Sequence, residues 1–184
     1  MELLDAVNLV LPKLGERAVT SLTVRHPTLA ILLPIIEQTQ RNVLRRGWWF
    51  NEFVYTAYPA VNGEIDIGIN TLSFVPDMPD TAVVRGQRLY NPVTLSYVFT
   101  ESVPGRVIHY VEFNELPESA AQYVFNSALV DAYATDLGVT QELSVWQSLA
   151  GMSWSDLLSE HLRQRKHTTR NSRRWQQLIR SMQG

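Results

Sequence analysis

The sequence predicts an α+β fold: mainly an α-helical bundle with an inserted antiparallel β region and a basic C-terminal tail. Three observations carry this. Apolar residues recur at helical spacing before residue 46 and again after 117. Over about 50–112 the period drops to two, with turn residues between short β-branched runs. The last two dozen residues then turn to arginine and polar side chains. Helices over about 2–14, 28–46, 117–136 and 141–162, with strands between the second and third, make residues 1–162 a single domain and 163–184 a tail.

The first helix rests on Leu3, Val7, Val10, Leu11 and Leu14, one stripe at 3.6 residues per turn, closed by Gly15. The second begins near Pro27-Thr28. It buries Leu29, Leu32, Leu33, Ile36 and Val43 and exposes Glu37, Gln38, Arg41, Asn42 and Arg45. Pro34 removes a backbone donor inside that pattern, which predicts either a kink or a start nearer Ile35. Arg45-Arg46-Gly47-Trp48-Trp49-Phe50-Asn51 then ends the helix. Gly47 stands where a left-handed residue closes a helix, the arginines complement the C-terminal dipole, and the aromatics anchor the next element.

Five or six short strands fit the β region. The clearest are Phe53-Val54-Tyr55, Glu64 to Ile67, Leu72 to Val75 and Arg106 to Val111, with a hairpin over Val83 to Tyr90 turning at Arg85-Gly86. Pro76, Pro79, Pro92 and Pro104 are expected in connections, where a missing donor does least harm. Pro117 opens the third helix in its first turn, with Glu115 and Glu118 at the positive end of its dipole. Ala121, Val124, Phe125, Ala128 and Ala132 line one side, and small residues there permit close helix approach. After Gly138, Leu143, Trp146, Leu149, Trp154, Leu157, Leu158 and Leu162 mark the last helix, with Gly151 as a break and Ser153 as a cap for a restart. Residues 163–184 are expected to be mobile alone and ordered on a partner.

The composition excludes more chemistry than it offers. With no cysteine there is no disulfide framework and no thiolate metal or redox site. No apolar run is long enough for a membrane span, and no positive flank marks an export signal. His26, His109, His161 and His167 lack metal-ligand spacing and read as surface or helix-end residues. Gly151-Met152-Ser153-Trp154-Ser155 resembles a nucleophile elbow but lacks the final glycine and the preceding strand. Gly63, Gly68 and Gly86 are too scattered to cradle a phosphate. Glu112, Glu115 and Glu118 are explained by helix capping.

Charge is the one suggestive feature. Residues 1–160 hold 9 Lys/Arg against 18 Asp/Glu, whereas residues 161–184 hold 7 basic residues and no acid. Such segregation directs the tail to an anionic surface. That surface is either phosphate or a row of carboxylates suited to the planar fork of arginine.

Three segments, in this order, resemble the tail tubular protein A or head-to-tail adaptor family of short-tailed phages (podoviruses). They are Leu4 to Asn8 with Leu14-Gly15-Glu16 and Val19 to Leu22; the helix end Arg46 to Asn51; and Glu115-Leu116-Pro117-Glu118. The resemblance spans residues 3–135. It implies a non-enzymatic virion protein of the tail at the head-tail junction, made and assembled in the host cytoplasm. Copies would form a homo-oligomer, a twelve-membered ring below the portal protein and above the tail nozzle protein. Double-stranded DNA would pass the bore at ejection without sequence-specific binding, and no cofactor, metal or membrane is implied. The tail would supply the portal contact: Arg163, Arg165, Lys166, Arg170, Arg173 and Arg174 pairing with acidic groups, and Trp175, Leu178 and Ile179 filling a groove. The alternative function is a DNA-binding or packaging accessory protein using the same tail on phosphate. A DNA reader would continue its basic surface onto a folded element, and here the body is acidic.

Overall fold

The computed structural model describes residues 1–78, 80–134 and 141–165. Chain order is α1 (Leu3–Val10) with a 3-10 turn over Leu11–Leu14, α2 (Pro27–Leu44), β1 (Glu52–Ala57), β2 (Thr71–Pro76), β3 (Val83–Arg85), β4 (Arg88–Tyr90), β5 (Val103–His109), α3 (Glu118–Ala132) and α4 (Gln141–Arg165). This is an α+β architecture. Gly138, the end of the third helix as predicted, Pro79, and Lys166 to Gly184 lie outside the described residues.

α1 buries Ala6, Val7 and Val10 and has no capping side chain of its own. The distant Asn114 serves instead, its Oδ1 accepting from the Leu3 amide at 2.9 Å. Asn8, off the apolar stripe, clamps the backbone of Val19 in both directions at 2.9 Å and folds the following loop back.

α2 is continuous from Pro27, so the expected kink or late start at Pro34 is corrected to an internal proline. The reason is location. Pro34 and Ala30, whose carbonyl loses its partner, both lie on the exposed face, where water can replace the missing donor. α3 packs between α2 and α4, and its predicted alanine-rich stripe is buried throughout. Pro117 caps the helix rather than sitting inside its first turn.

α4 also runs unbroken, so the expected interruption at Gly151 and restart at Ser153 is corrected. Gly151 is exposed, where it costs helix stability without breaking the helix. Ser153 turns its hydroxyl back to the Leu149 carbonyl at 2.8 Å and accepts from Asn126 of α3 at 2.8 Å, bridging the two helices.

The three-stranded antiparallel sheet has the order β1-β5-β2, and β3-β4 form a separate hairpin. The hairpin turns at Gly86-Gln87, one residue later than predicted. Glu64 and Asp66 make only single bridges, to Val98 and Arg88, rather than the expected strand. Pro76 ends β2, and Pro104 lies inside the central strand rather than in a connection. Pro104 is tolerated because its nitrogen faces the very end of β2: the Asp77 amide still donates to the Pro104 carbonyl at 2.9 Å, and only the reciprocal bond is missing. Gly105 is required by contact: a Cβ there would stand 2.5 Å from the Val75 carbonyl oxygen and 2.6 Å from the Phe74 ring.

Two cores result. The larger joins α1 to α4 with Trp48, Phe113 and Leu116. The smaller lies under the sheet and hairpin, with Ile65, Ile67, Phe74, Leu89, Phe99 and Val107.

Candidate functional site

The bundle and the sheet meet at the segment that ends α2. Gly47 adopts φ 75°, and its amide reaches the Leu44 carbonyl at 3.1 Å, the left-handed closure expected of it. The chain then reverses through Trp48, Trp49 and Phe50 into β1.

Asn51, fully buried, holds the reversal together. Its Oδ1 accepts from the Trp48 amide at 2.8 Å, and its Nδ2 donates to the Leu44 carbonyl at 3.0 Å and to the His109 carbonyl at 2.9 Å. The His109 amide in turn donates to the Asn51 carbonyl at 2.9 Å. One amide side chain thus ties a helix end, a turn and the end of the central strand, leaving none of these buried backbone groups unpaired.

Trp48 is buried beside it and donates from Nε1 to the Val43 carbonyl at 2.7 Å, a second satisfied carbonyl at the C-terminus of α2. The end of α4 closes over this turn. Trp154 and His161 meet the Trp48 ring edge-on, at 5.6 and 5.3 Å between centroids, and Trp49 packs edge-on against Phe50 at 4.9 Å. Arg46 lies 4.8 Å over the Trp154 ring. Glu52, the first residue of β1, is largely buried and pairs with Arg106 of β5 at 3.3 Å and with Arg165 at the end of α4.

The structure therefore brings Gly47, Trp48, Trp49, Phe50 and Asn51 into one joint, and places Pro117 away from it as the cap of α3. Of the residues predicted to meet a partner, Arg163 is exposed on the last turn of α4, with Nε 3.4 Å from the Ser159 carbonyl. Arg165 is held by Glu52 and belongs to the body. Lys166, Arg170, Arg173, Arg174, Trp175, Leu178 and Ile179 lie outside the described residues. Sequence reasoning missed Glu52, Arg106, Trp154 and His161 as members of the joint. Arg106 falls in a predicted strand and Trp154 and His161 on a predicted helix, but no local pattern brings them together with Glu52.

The remaining candidates are dispersed. His26 precedes α2 with Nε2 3.7 Å from Glu16, whose other oxygen accepts from Thr28 at 2.8 Å. His109 sits against Phe53 in the sheet, and His167 lies outside the described residues. Glu118 binds the Met1 ammonium at 2.8 Å, a contact that raises the amine above its ordinary pKa and lowers the carboxyl below its own. Among the described residues no group of His, Asp or Glu could hold a metal ion, and no helix is long and apolar enough to cross a membrane.

The surface of the β region is a second candidate site. Tyr58, Val61, Ile69, Val93, Leu95 and Val98 are all more than half exposed. Leu95 holds φ 52°, a left-handed conformation that costs a branched side chain about 1–2 kcal/mol. Its loop is braced by Asn91, whose Oδ1 accepts from the Val93 and Thr94 amides at 2.9 and 3.1 Å and whose backbone pairs with Ser96. A rigid loop that presents Val93 and Leu95 to solvent has the character of an interaction surface.

A family model described as tail tubular protein matches residues 4–169. The tail tubular protein A of Klebsiella phage KP34 is 29% identical over 174 residues, covering 94% of each chain. With residues 4–169 matched by that family model, this chain belongs to the tail tubular protein family, structural components of the viral tail and not enzymes.

Proposed function

We propose that this tail protein is the head-to-tail adaptor: copies form a ring, twelve in number on the family resemblance, between the portal and the tail nozzle. The bore of that ring is part of the conduit through which double-stranded DNA leaves. The observation that carries this reading is the match over nearly the whole chain to tail tubular proteins, taken together with the apolar β surface. A ring needs each copy to present side surfaces that bury against the next, and exposed Val93, Leu95 and Val98 supply apolar area for that.

Charge supports the conduit. The acidic body would surround passing DNA without gripping its phosphates, whereas a lysine- and arginine-rich bore would hold them. Arg163 and the basic residues beyond Arg165 would meet acidic groups on the portal, each contact weak and the ring strong through effective concentration.

Sedimentation of the chain mixed with the portal ring of the same phage tests this. A heavier complex near one adaptor per portal subunit is expected. Failure to co-sediment across salt conditions, with both partners folded, would refute the adaptor role, and retention on duplex DNA in its place would move the function to packaging.

A further inference from the structure

A groove of about 410 Å³ runs along α2 beside the segment that follows β5. Leu22, Leu33, Ile36 and Phe113 line it, and Glu37 and Glu112 stand at its rim. The only cation at this rim among the described residues is Arg41, and it is engaged: it lies 3.0 Å from Glu37 and 4.9 Å over the Tyr110 ring. The local field remains negative. The Tyr110 hydroxyl is pushed above its ordinary pKa by burial and then by Glu112 and Glu37, with Arg41 opposing last and least.

An apolar floor with an acidic rim suits a segment that is apolar on one side and basic on the other. The sequence holds one. Trp175, Leu178, Ile179 and Met182 recur at the spacing of a single helix face, among Arg173, Arg174 and Arg180 and without any acid. It is also within reach. α4 ends at Glu52, which pairs with Ile108, and Tyr110 is two residues further, about 7 Å along the strand. Residues 166–174 span up to about 30 Å when extended.

We propose that this groove is the docking site for the chain's own residues Trp175, Leu178, Ile179 and Met182, with the flanking arginines against Glu112 and Glu37. Docking does not depend on the adaptor role. If that role holds, it withholds these residues from the portal until a competing surface displaces them.

The sequence has no cysteine, so a disulfide pair reports the contact cleanly. In the full-length chain carrying Glu112→Cys and Leu178→Cys, oxidation at low protein concentration is expected to give an intrachain disulfide. It should form at least about tenfold faster than with Thr94→Cys, on the β region, in place of the groove cysteine. Equal rates for the two pairs, or an interchain product that grows with concentration, would overturn the proposal. Hydrogen exchange gives an independent check. In the full-length Trp175→Ser/Leu178→Ser/Ile179→Ser variant, amides at 31–41 and 110–113 should exchange at least about fivefold faster, and unchanged protection would equally overturn it. Neither result bears on co-sedimentation with the portal, so the two readings fail separately.

Discussion

The helical bundle and the β region divide the protein's apolar residues in opposite ways. Among the described residues the bundle's core holds 23 buried hydrophobic residues and the β region's core 9. Yet 13 of the 20 large hydrophobic residues left exposed fall between residues 50 and 112. The bundle spends its apolar side chains on its own stability. The β region keeps much of its apolar area outside, in loops braced by short-range hydrogen bonds, and depends on the joint at Asn51 for its position. A small core with a sticky exterior is what the proposed contact between copies requires, and a large core is what the frame behind it requires.

Breaking the joint should erase this division. Asn51→Ala strands the Trp48 amide and the His109 carbonyl, while the Leu44 carbonyl keeps the Gly47 amide at 3.1 Å. With each buried orphan costing about 1–3 kcal/mol, a loss of at least about 2 kcal/mol is expected in urea unfolding. Gly105→Ala tests the β region alone. The added Cβ meets the Val75 carbonyl, which is backbone and cannot turn away, so a cost of about 1–3 kcal/mol is expected. The loss of hydrogen-exchange protection should concentrate in β1, β2 and β5 and spare α3. Equal loss in α3 would mean that the two regions unfold as one.

Leu95→Gly should sharpen the contrast by separating stability from assembly. Glycine adopts φ 52° freely, so thermal stability should hold or rise by up to about 1 kcal/mol, while the proposed ring formation on the portal should weaken. A variant that assembles normally would remove Leu95 from the subunit contact.

The smallest effect expected is the pH response of the Met1 to Glu118 pair, which belongs to the bundle alone. The amine's raised pKa gives stability that is complete below its ordinary 8.0 and lost as pH rises through the folded value. The carboxyl's lowered pKa gives stability present above its ordinary 4.5 and lost as pH falls through the folded value. A plateau between these limits, flattened in Glu118→Gln, should appear in melting temperatures measured across pH.

What the sequence revealed follows from the range of each interaction. Gly47, the faces of α2 and the alanine stripe of α3 depend on neighbours within a turn or two, and were legible. The prolines were misjudged because tolerance depends on surroundings. Pro34 is harmless where the carbonyl it orphans meets water, and Pro104 where the neighbouring strand is ending and a single bond is forgone. Glu64 to Ile67 alternates like a strand, but pairing needs a partner edge, and it finds only single contacts. The joint was half legible. Trp48 to Asn51 stood out as an aromatic cluster, but the part played by Asn51 depends on a carbonyl 58 residues away and on a helix end. The clamp of Arg165 by Glu52 crosses 113 residues, and no local pattern announces it.

The geometry at Asn51 has a mechanical side. Its three bonds run to a helix end, a turn and a strand end, so drawing the central strand away from the bundle stretches the bond to the His109 carbonyl while the other two hold the side chain in place. Such a fastening is stiff to that pull, with the rotameric freedom of one buried side chain as its only slack. In the proposed conduit, a stiff fastening in every copy would make the wall respond as a solid shell, deforming little and recoiling at once.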